Sequence, residues 1–192
     1  MALRVGGGYA EQADQRARHP ANSRRSLGWR MRRILAWSEM FALFALLYVG
    51  IPWAGLTVDR FLGIPAWPSP ARWIGMVLLV LGIAGLAWCF ALFARIGRGT
   101  PNPTMPPTAL VTVGPYARTR NPIALSHAAA LFGLSLFLGS VSAAVIVLLL
   151  AIPVHVAMVH EEGTLEARFG DTYRAYRAAV PRWIPRPRNR QS

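Results

Sequence analysis

The stretch PIALSHAAALFGLSLFLGSVSAAVIVLLLAIPVHVAMV, residues 122–159, decides the fold of this chain. It contains no Asp, Glu, Lys or Arg over its 38 residues. One membrane-spanning helix needs roughly 20 apolar residues, so the stretch is too long for a single span. Gly139 and Ser140 lie near its middle and favour a turn. The stretch therefore predicts two transmembrane helices joined as a hairpin.

Two more apolar runs lie upstream, at 34–54 and 73–94, and each is long enough to cross a bilayer. With the hairpin segments 122–138 and 140–159, they predict an all-α integral membrane protein with about four transmembrane helices. The composition agrees, because 54% of the residues are apolar and only 15% are charged. The first run is longer than the apolar region of a signal peptide and lacks a clear cleavage site, so we interpret it as a retained span.

The basic residues are distributed unevenly along the chain. All 21 are arginine, and with 8 acidic residues they give a formal net charge of +13. They flank the apolar runs, which indicates a membrane protein and no nucleic-acid partner. Eight precede the first run, two lie near the first loop, four lie within 95–120, none lies at the hairpin turn and seven follow the last run. The positive-inside rule then predicts cytoplasmic termini, in what we expect to be a bacterial inner membrane.

The remaining segments are polar or rich in proline. Residues 1–28 predict a disordered arginine-rich tail before a domain at 29–187, and residues 188–192 form a second tail. Five prolines prevent a continuous helix in the loop at 95–120. Residues 161–180 predict a cytoplasmic amphipathic helix, because apolar residues recur there at steps of three or four. These are Leu165, Phe169, Tyr173, Tyr176 and Val180.

Ionisable residues inside predicted spans are candidates for function, because a polar group in hydrocarbon is costly. Glu39, His127 and His155 are such residues, and the alternative for each is a hydrogen bond or ion pair that only stabilises the bundle. We expect no metal site, since His155 and His160 point about 140° apart on a helix. The single cysteine, Cys89, excludes an intramolecular disulfide and a cysteine-cluster metal site.

Glu161 and Glu162 lie where the last apolar run meets the cytoplasm. Adjacent side chains on a helix diverge by about 100°, so one carboxylate can face the bundle while the other faces water or an arginine. The alternative is a solvated helix end without a specific role.

The string GPYARTRNP at 114–122, followed by HEEGTLEARFGDTYRAYRAAVPRWIP at 160–185, resembles the isoprenylcysteine carboxyl methyltransferase family, which is related to membrane phospholipid methyltransferases. The resemblance covers about residues 72–187. The matching residues are Gly114, Pro115, Tyr116, Arg120, Asn121, Pro122, Glu161, Glu162, Leu165, Phe169, Gly170, Tyr173, Tyr176 and Pro181. Ala124, Ser126 and His160 stand where many relatives have tyrosine, glycine and arginine, so the identity of the acceptor is not carried over.

The resemblance implies methyl transfer from S-adenosylmethionine to a lipophilic small molecule or membrane lipid at the cytoplasmic face. The acceptor group is a carboxylate, an amine or a similar group. Glu162 and Arg168 are implied to be catalytic, Arg168 by holding an acceptor carboxylate. The residues implied to bind the cofactor are Tyr116, Arg120, Asn121, Pro122, His127, Glu161 and Glu162. The resemblance also implies that segment 114–122 folds over the two glutamates.

Two other functions are compatible with the same sequence. The first is an NADPH-dependent membrane reductase of the sterol-reductase type. The second is a non-catalytic helical bundle whose arginine-rich surfaces bind anionic lipid.

Overall fold

The computed structural model describes Leu35 and residues 38–97 and 109–184. The predictions for the tails at 1–28 and 188–192, for residue 34 and for much of the proline-rich loop lie outside the described residues. The chain divides into two compact units, Met1–Ala42 and Leu43–Ser192. The described part of the first unit is helical, and Ser38 Oγ donates to the Leu35 carbonyl at 2.9 Å.

Five helices account for most of the described residues, which contain no β-strand. They are α1 (Ser38–Leu62), α2 (Ser69–Ile96), α3 (Pro122–Leu138), α4 (Val141–Phe169) and α5 (Asp171–Ala179). Helices α1, α2 and α4 are long and apolar enough to cross a membrane. Helix α3 has 17 residues, or about 25 Å, which is at the short limit for a span. The prediction of an all-α membrane fold is confirmed.

Two of the long helices contain wider turns. Leu46–Gly50 in α1 is π-helical, and so is Phe93–Gly97, which begins within α2 and ends one residue beyond it. The apolar pattern of the sequence does not predict either segment.

Helices α3 and α4 meet at Gly139 and Ser140, where the sequence predicts a turn. Gly139 adopts the left-handed conformation with φ 81°. Ser140 Oγ accepts from the Ala143 amide at 3.1 Å, which caps the start of α4. Asp59 of α1 accepts from Ser140 Oγ at 2.5 Å and from the Ser142 amide at 3.0 Å.

These contacts explain why α1 differs from the predicted span at 34–54. The helix continues to Leu62 and includes the charged residue Asp59, which is 8% exposed. A carboxylate in a span is costly unless it has partners, and the first turn of α4 supplies them. Helix α2 also begins earlier than residue 73, because Pro68 and Pro70 suit the start of a helix.

The membrane helices pack through small residues on one side and expose large apolar residues on the other. A buried cluster of Ile51, Leu131, Ala143 and Val147 joins α1, α3 and α4. A Cβ atom placed on Gly82 of α2 would lie 2.5 Å from the backbone nitrogen of Ala130 in α3. Only glycine therefore permits this close approach of the two helices.

The predicted cytoplasmic helix at 161–180 is two elements in the structure. Helix α4 continues through Phe169, and α5 begins at Asp171. Gly170 separates them with φ 53°, a conformation that glycine adopts far more readily than other residues. The apolar stripe persists across this break, because Tyr173 and Val180 are both buried.

Candidate functional site

A buried carboxylate between two arginines lies at the polar end of α4. Glu162 is 4% exposed. Arg182 donates through Nε to Oε1 and through Nη2 to Oε2, both at 2.9 Å, in a bidentate pair. Nη1 of Arg120 lies 2.8 Å from Oε2 of the same carboxylate. The three side chains, here called the Glu162 cluster, carry a net charge of +1.

The two arginines belong to segments that are far apart in the sequence. Arg120 follows the short 3-10 helix Gly114–Ala117 and precedes α3, whereas Arg182 follows α5. The backbones of the two segments bond directly, since the Arg120 amide donates to the Pro181 carbonyl at 2.9 Å. Thr119 Oγ1 donates to the Arg182 carbonyl at 2.8 Å. The motif segment at 114–122 therefore lies against the carboxylate of α4, as expected from the sequence.

Arg120 is incompletely paired. Its side chain is 10% exposed, and its Nε has no hydrogen-bond partner among the described residues. The Nη1 contact with Glu162 is close in distance but is not aligned as a hydrogen bond. A buried guanidinium donor without a partner costs about 1–3 kcal/mol or more, so this group is suited to an additional acceptor.

Tyr116, Tyr173 and Tyr176 lie in or next to the segments that carry the Glu162 cluster. Tyr176 donates its hydroxyl to the Tyr116 carbonyl at 2.8 Å, which ties α5 to the motif segment. Tyr173 is 1% exposed, and its ring centroid lies 6.1 Å from that of Tyr176. Burial raises the pKa of all three phenols above the ordinary value. They are therefore neutral at physiological pH and add no charge.

The bidentate pair also affects Arg182 itself. Its hydrogen bonds to Glu162 raise the pKa of the guanidinium above its ordinary value. The arginine stays protonated at every physiological pH.

The Tyr116 ring packs inside the bundle. It contacts Cys89 and Val111 in a buried cluster, and Phe93 lies edge-on at 5.7 Å between ring centroids. These contacts are those of a core residue that fixes the motif segment.

Asn121 and Pro122 lie at the start of α3, beside the cluster. Asn121 Nδ2 donates to the Arg182 carbonyl at 3.4 Å, and Pro122 is the first residue of the helix. The structure thus brings Arg120, Asn121 and Pro122 together with Glu162.

Glu161, Arg168 and His127 lie outside the cluster. Glu161 and Arg168 are exposed, and the Arg168 guanidinium lies 5.5 Å from the centroid of its neighbour Phe169. His127 Nδ1 lies 3.0 Å from the hydroxyl of Tyr48 in α1, and Phe44 packs edge-on against the imidazole. These contacts connect α1 to α3.

An open recess of about 370 Å³ lies at the opposite end of the hairpin, beside Asp59 and Gly139. The intervening length of α4 places it about 30 Å from Glu162. The Asp59 carboxylate already accepts hydrogen bonds from Ser140 and Ser142 at the start of α4. The recess therefore offers a ligand fewer polar side chains than the Glu162 cluster does.

The sequence model of the phospholipid methyltransferase family matches residues 70–172, more than half of the chain. The chain belongs to this family. Phospholipid methyltransferases are membrane enzymes that generally depend on S-adenosylmethionine. Separate searches of curated proteins and of solved structures gave no significant match.

The part of the chain that matches the phospholipid methyltransferases includes Arg120 and Glu162 but ends before Arg182. Arg182 makes the bidentate contact in the cluster, and the sequence does not distinguish it as a site residue. It is one of seven arginines after the last apolar run, and no spacing distinguishes it from the others. Its position directly after Pro181, inside the C-terminal motif, was the available signal.

Proposed function

We propose that this chain transfers a methyl group from S-adenosylmethionine to a lipophilic or membrane-embedded acceptor at the cytoplasmic face of the membrane. The observation that carries this proposal is Arg120, a buried guanidinium beside Glu162 whose Nε donor has no partner in the part of the chain that the structure describes. It belongs to a segment that matches a family of membrane methyltransferases.

The residues around Arg120 fit the polar groups of S-adenosylmethionine. The cofactor carries a carboxylate, which suits the free donor of Arg120 and the amide of Asn121. Its ammonium group and ribose hydroxyls suit the exposed carboxylate of Glu161. When bound, the cofactor supplies an electrophilic methyl group on its sulfonium.

In this proposal Glu162 and Tyr116 act by positioning. The Glu162 carboxylate holds Arg182 through two hydrogen bonds and Arg120 through an ion pair. It therefore orients the guanidinium that binds the cofactor. The Tyr116 ring anchors the motif segment in the core. Pro122 begins α3 directly after Arg120 and Asn121, which keeps both residues at the end of the helix.

The acceptor approaches from the lipid. Arg168 is exposed and carries a positive charge, so it is suited to bind an anionic group of the acceptor. Substitution at saturated carbon needs little proton transfer when the acceptor is already anionic, so positioning and exclusion of water supply most of the catalysis. For an amine acceptor, the exposed carboxylate of Glu161 can accept the proton.

The test is calorimetry of the detergent-purified full chain with S-adenosylhomocysteine. We expect saturable binding that Arg120→Gln weakens about tenfold or more, because a hydrogen bond to a charged group is lost. Arg118→Gln is the matched control, since Arg118 lies on the same segment and is exposed. Its affinity should equal that of the wild type.

Reduced nicotinamide dinucleotide phosphate is titrated in parallel. Binding of this compound alone would replace the methyltransferase proposal by a reductase. Binding of neither compound by a folded protein would leave a non-catalytic bundle.

A further inference from the structure

His155 is a polar side chain on an apolar surface of α4. It lies within a helix long and apolar enough to span the membrane, and it is exposed. Its neighbours Ile152 and Val156 are exposed apolar residues, at 67% and 63%. Ionisable residues in spans usually face the bundle interior, so an imidazole on the lipid-facing surface requires a polar partner.

Trp183 is one such partner. Its indole Nε1 donates to His155 Nδ1 at 3.0 Å, and the ring centroids lie 5.9 Å apart. The indole nitrogen is only a donor, so Nδ1 must be the acceptor. The neutral imidazole then carries its proton on Nε2, and no residue among 38–97 and 109–184 accepts a hydrogen bond from this nitrogen.

The His155–Trp183 pair is continuous with the Glu162 cluster. Trp183 follows Arg182, whose side chain forms the bidentate contact with Glu162. His155 precedes Glu162 by seven residues, or two helical turns, so both side chains lie on nearly the same face of α4. His155 is thus about 10 Å deeper along the helix than the carboxylate.

We propose that His155 binds a polar oxygen of the membrane-embedded acceptor through its Nε2–H, with Trp183 fixing the tautomer. This oxygen is separate from the anionic group that Arg168 binds, because the two residues are 13 positions apart on α4, or about 20 Å. The inference rests on the proposed methyl transfer, and it adds the group that orients the acceptor on the lipid side. The ligand chemistry is a carbonyl or ionised oxygen of a lipid-soluble molecule, because an N–H donor requires an acceptor atom.

The experiment measures methyl transfer by the full chain in phosphatidylcholine vesicles that contain rising fractions of total lipid extract from the expression host. A labelled methyl donor reports transfer, and the lipid fraction at half-maximal rate gives an apparent KM. Calorimetry with S-adenosylhomocysteine reports the cofactor site separately.

The informative variant is His155→Asn. The Asn carboxamide oxygen can replace Nδ1 as the acceptor for Trp183, but the distal N–H is lost. We expect the apparent KM to rise about fivefold, the effect of one neutral hydrogen bond. The kcat and the affinity for S-adenosylhomocysteine should not change.

Trp183→Phe removes the indole donor and leaves the tautomer of His155 free. We expect a smaller rise in apparent KM, of about twofold, because either nitrogen can then carry the proton. Val156→Asn is the control, because it places a carboxamide at the same depth on another face of α4. It should leave the apparent KM, the kcat and the affinity for S-adenosylhomocysteine unchanged.

Three results would overturn the inference. The first is an unchanged KM in His155→Asn, and the second is an equal rise in Val156→Asn. The third is a loss of cofactor affinity in His155→Asn, which would assign His155 to the cofactor site. If the wild type binds S-adenosylhomocysteine and methylates lipid, these results reject the role of His155 alone. If the wild type does neither, the methyl-transfer proposal fails and this inference fails with it.

Discussion

At the level of single residues, the buried Glu162 carboxylate depends on its two arginine partners. Burying an ion costs several kcal/mol, and its attraction to a partner repays that cost only when the geometry is good. Glu162 has two arginines within 2.9 Å. Removing the negative charge therefore leaves two guanidinium groups in a confined space with no counter-ion.

Glu162→Gln should destabilise the protein by about 3–5 kcal/mol, the range measured when one partner of a buried ion pair is removed. The measurement is unfolding in detergent, followed by circular dichroism. Glu161→Gln is the matched control, because its side chain is exposed and the expected change is below about 1 kcal/mol. Equal stability of the two variants would show that the buried ion pairs do not hold the motif segment in place.

The proximity of segment 114–122 to Glu161 and Glu162 could be expected from the sequence, but the ion pairs of the Glu162 cluster could not. The doubled motif predicted that segment 114–122 lies against the carboxylates at 161 and 162. It could not predict which carboxylate is buried, since this depends on the rotation of α4. Nor could it predict the use of Arg182, which depends on the chain reversing after α5.

At the level of secondary-structure elements, the contact between α2 and α3 depends on glycine. A Cβ atom on Gly75 would lie 2.5 Å from the Phe137 nitrogen, and one on Gly82 would lie equally close to Ala130. Backbone atoms cannot move aside as a flexible side chain can. The two helices must therefore separate if either glycine is replaced.

Gly82→Ala should lower the stability by about 1–3 kcal/mol or more, because the added methyl group overpacks the α2–α3 contact. Gly163→Ala, in α4, has nothing within 4 Å of the added atom. It should increase stability by about 0.5–1 kcal/mol through helix propensity alone. Thermal unfolding of the two variants in the same detergent makes the comparison. A stable Gly82→Ala protein would contradict the close packing.

Helices were easier to predict than their ends. Hydropathy identifies α2 and α4 because each has a long apolar run. The ends depend on tertiary contacts, as with Asp59, whose partners belong to α4. The break at Gly170 could not be predicted, because the apolar stripe continues across it. The spacing of apolar residues does not indicate that a single residue has a positive φ.

At the level of the whole molecule, the arginine distribution predicts the orientation. The ends of the chain and the loop at 95–120 hold 19 of the 21 arginines, so the positive-inside rule predicts that the loop before α2 and the hairpin turn lie on the opposite, non-cytoplasmic side. Three long helices and the shorter α3 fit an even number of crossings. This orientation predicts that the Glu162 cluster faces the cytoplasm, where a water-soluble cofactor is accessible.

Cysteine labelling in spheroplasts tests this orientation. The native Cys89 is 0% exposed, so its reaction with a membrane-impermeant maleimide should be slow. Ser69→Cys, at the start of α2, should be labelled in intact spheroplasts, since the positive-inside rule places it outside. Thr172→Cys, on the exposed surface of α5, should be labelled only after the membrane is permeabilised. The reverse pattern would place the Glu162 cluster away from the cytoplasm, where S-adenosylmethionine is made, and would contradict the proposed reaction.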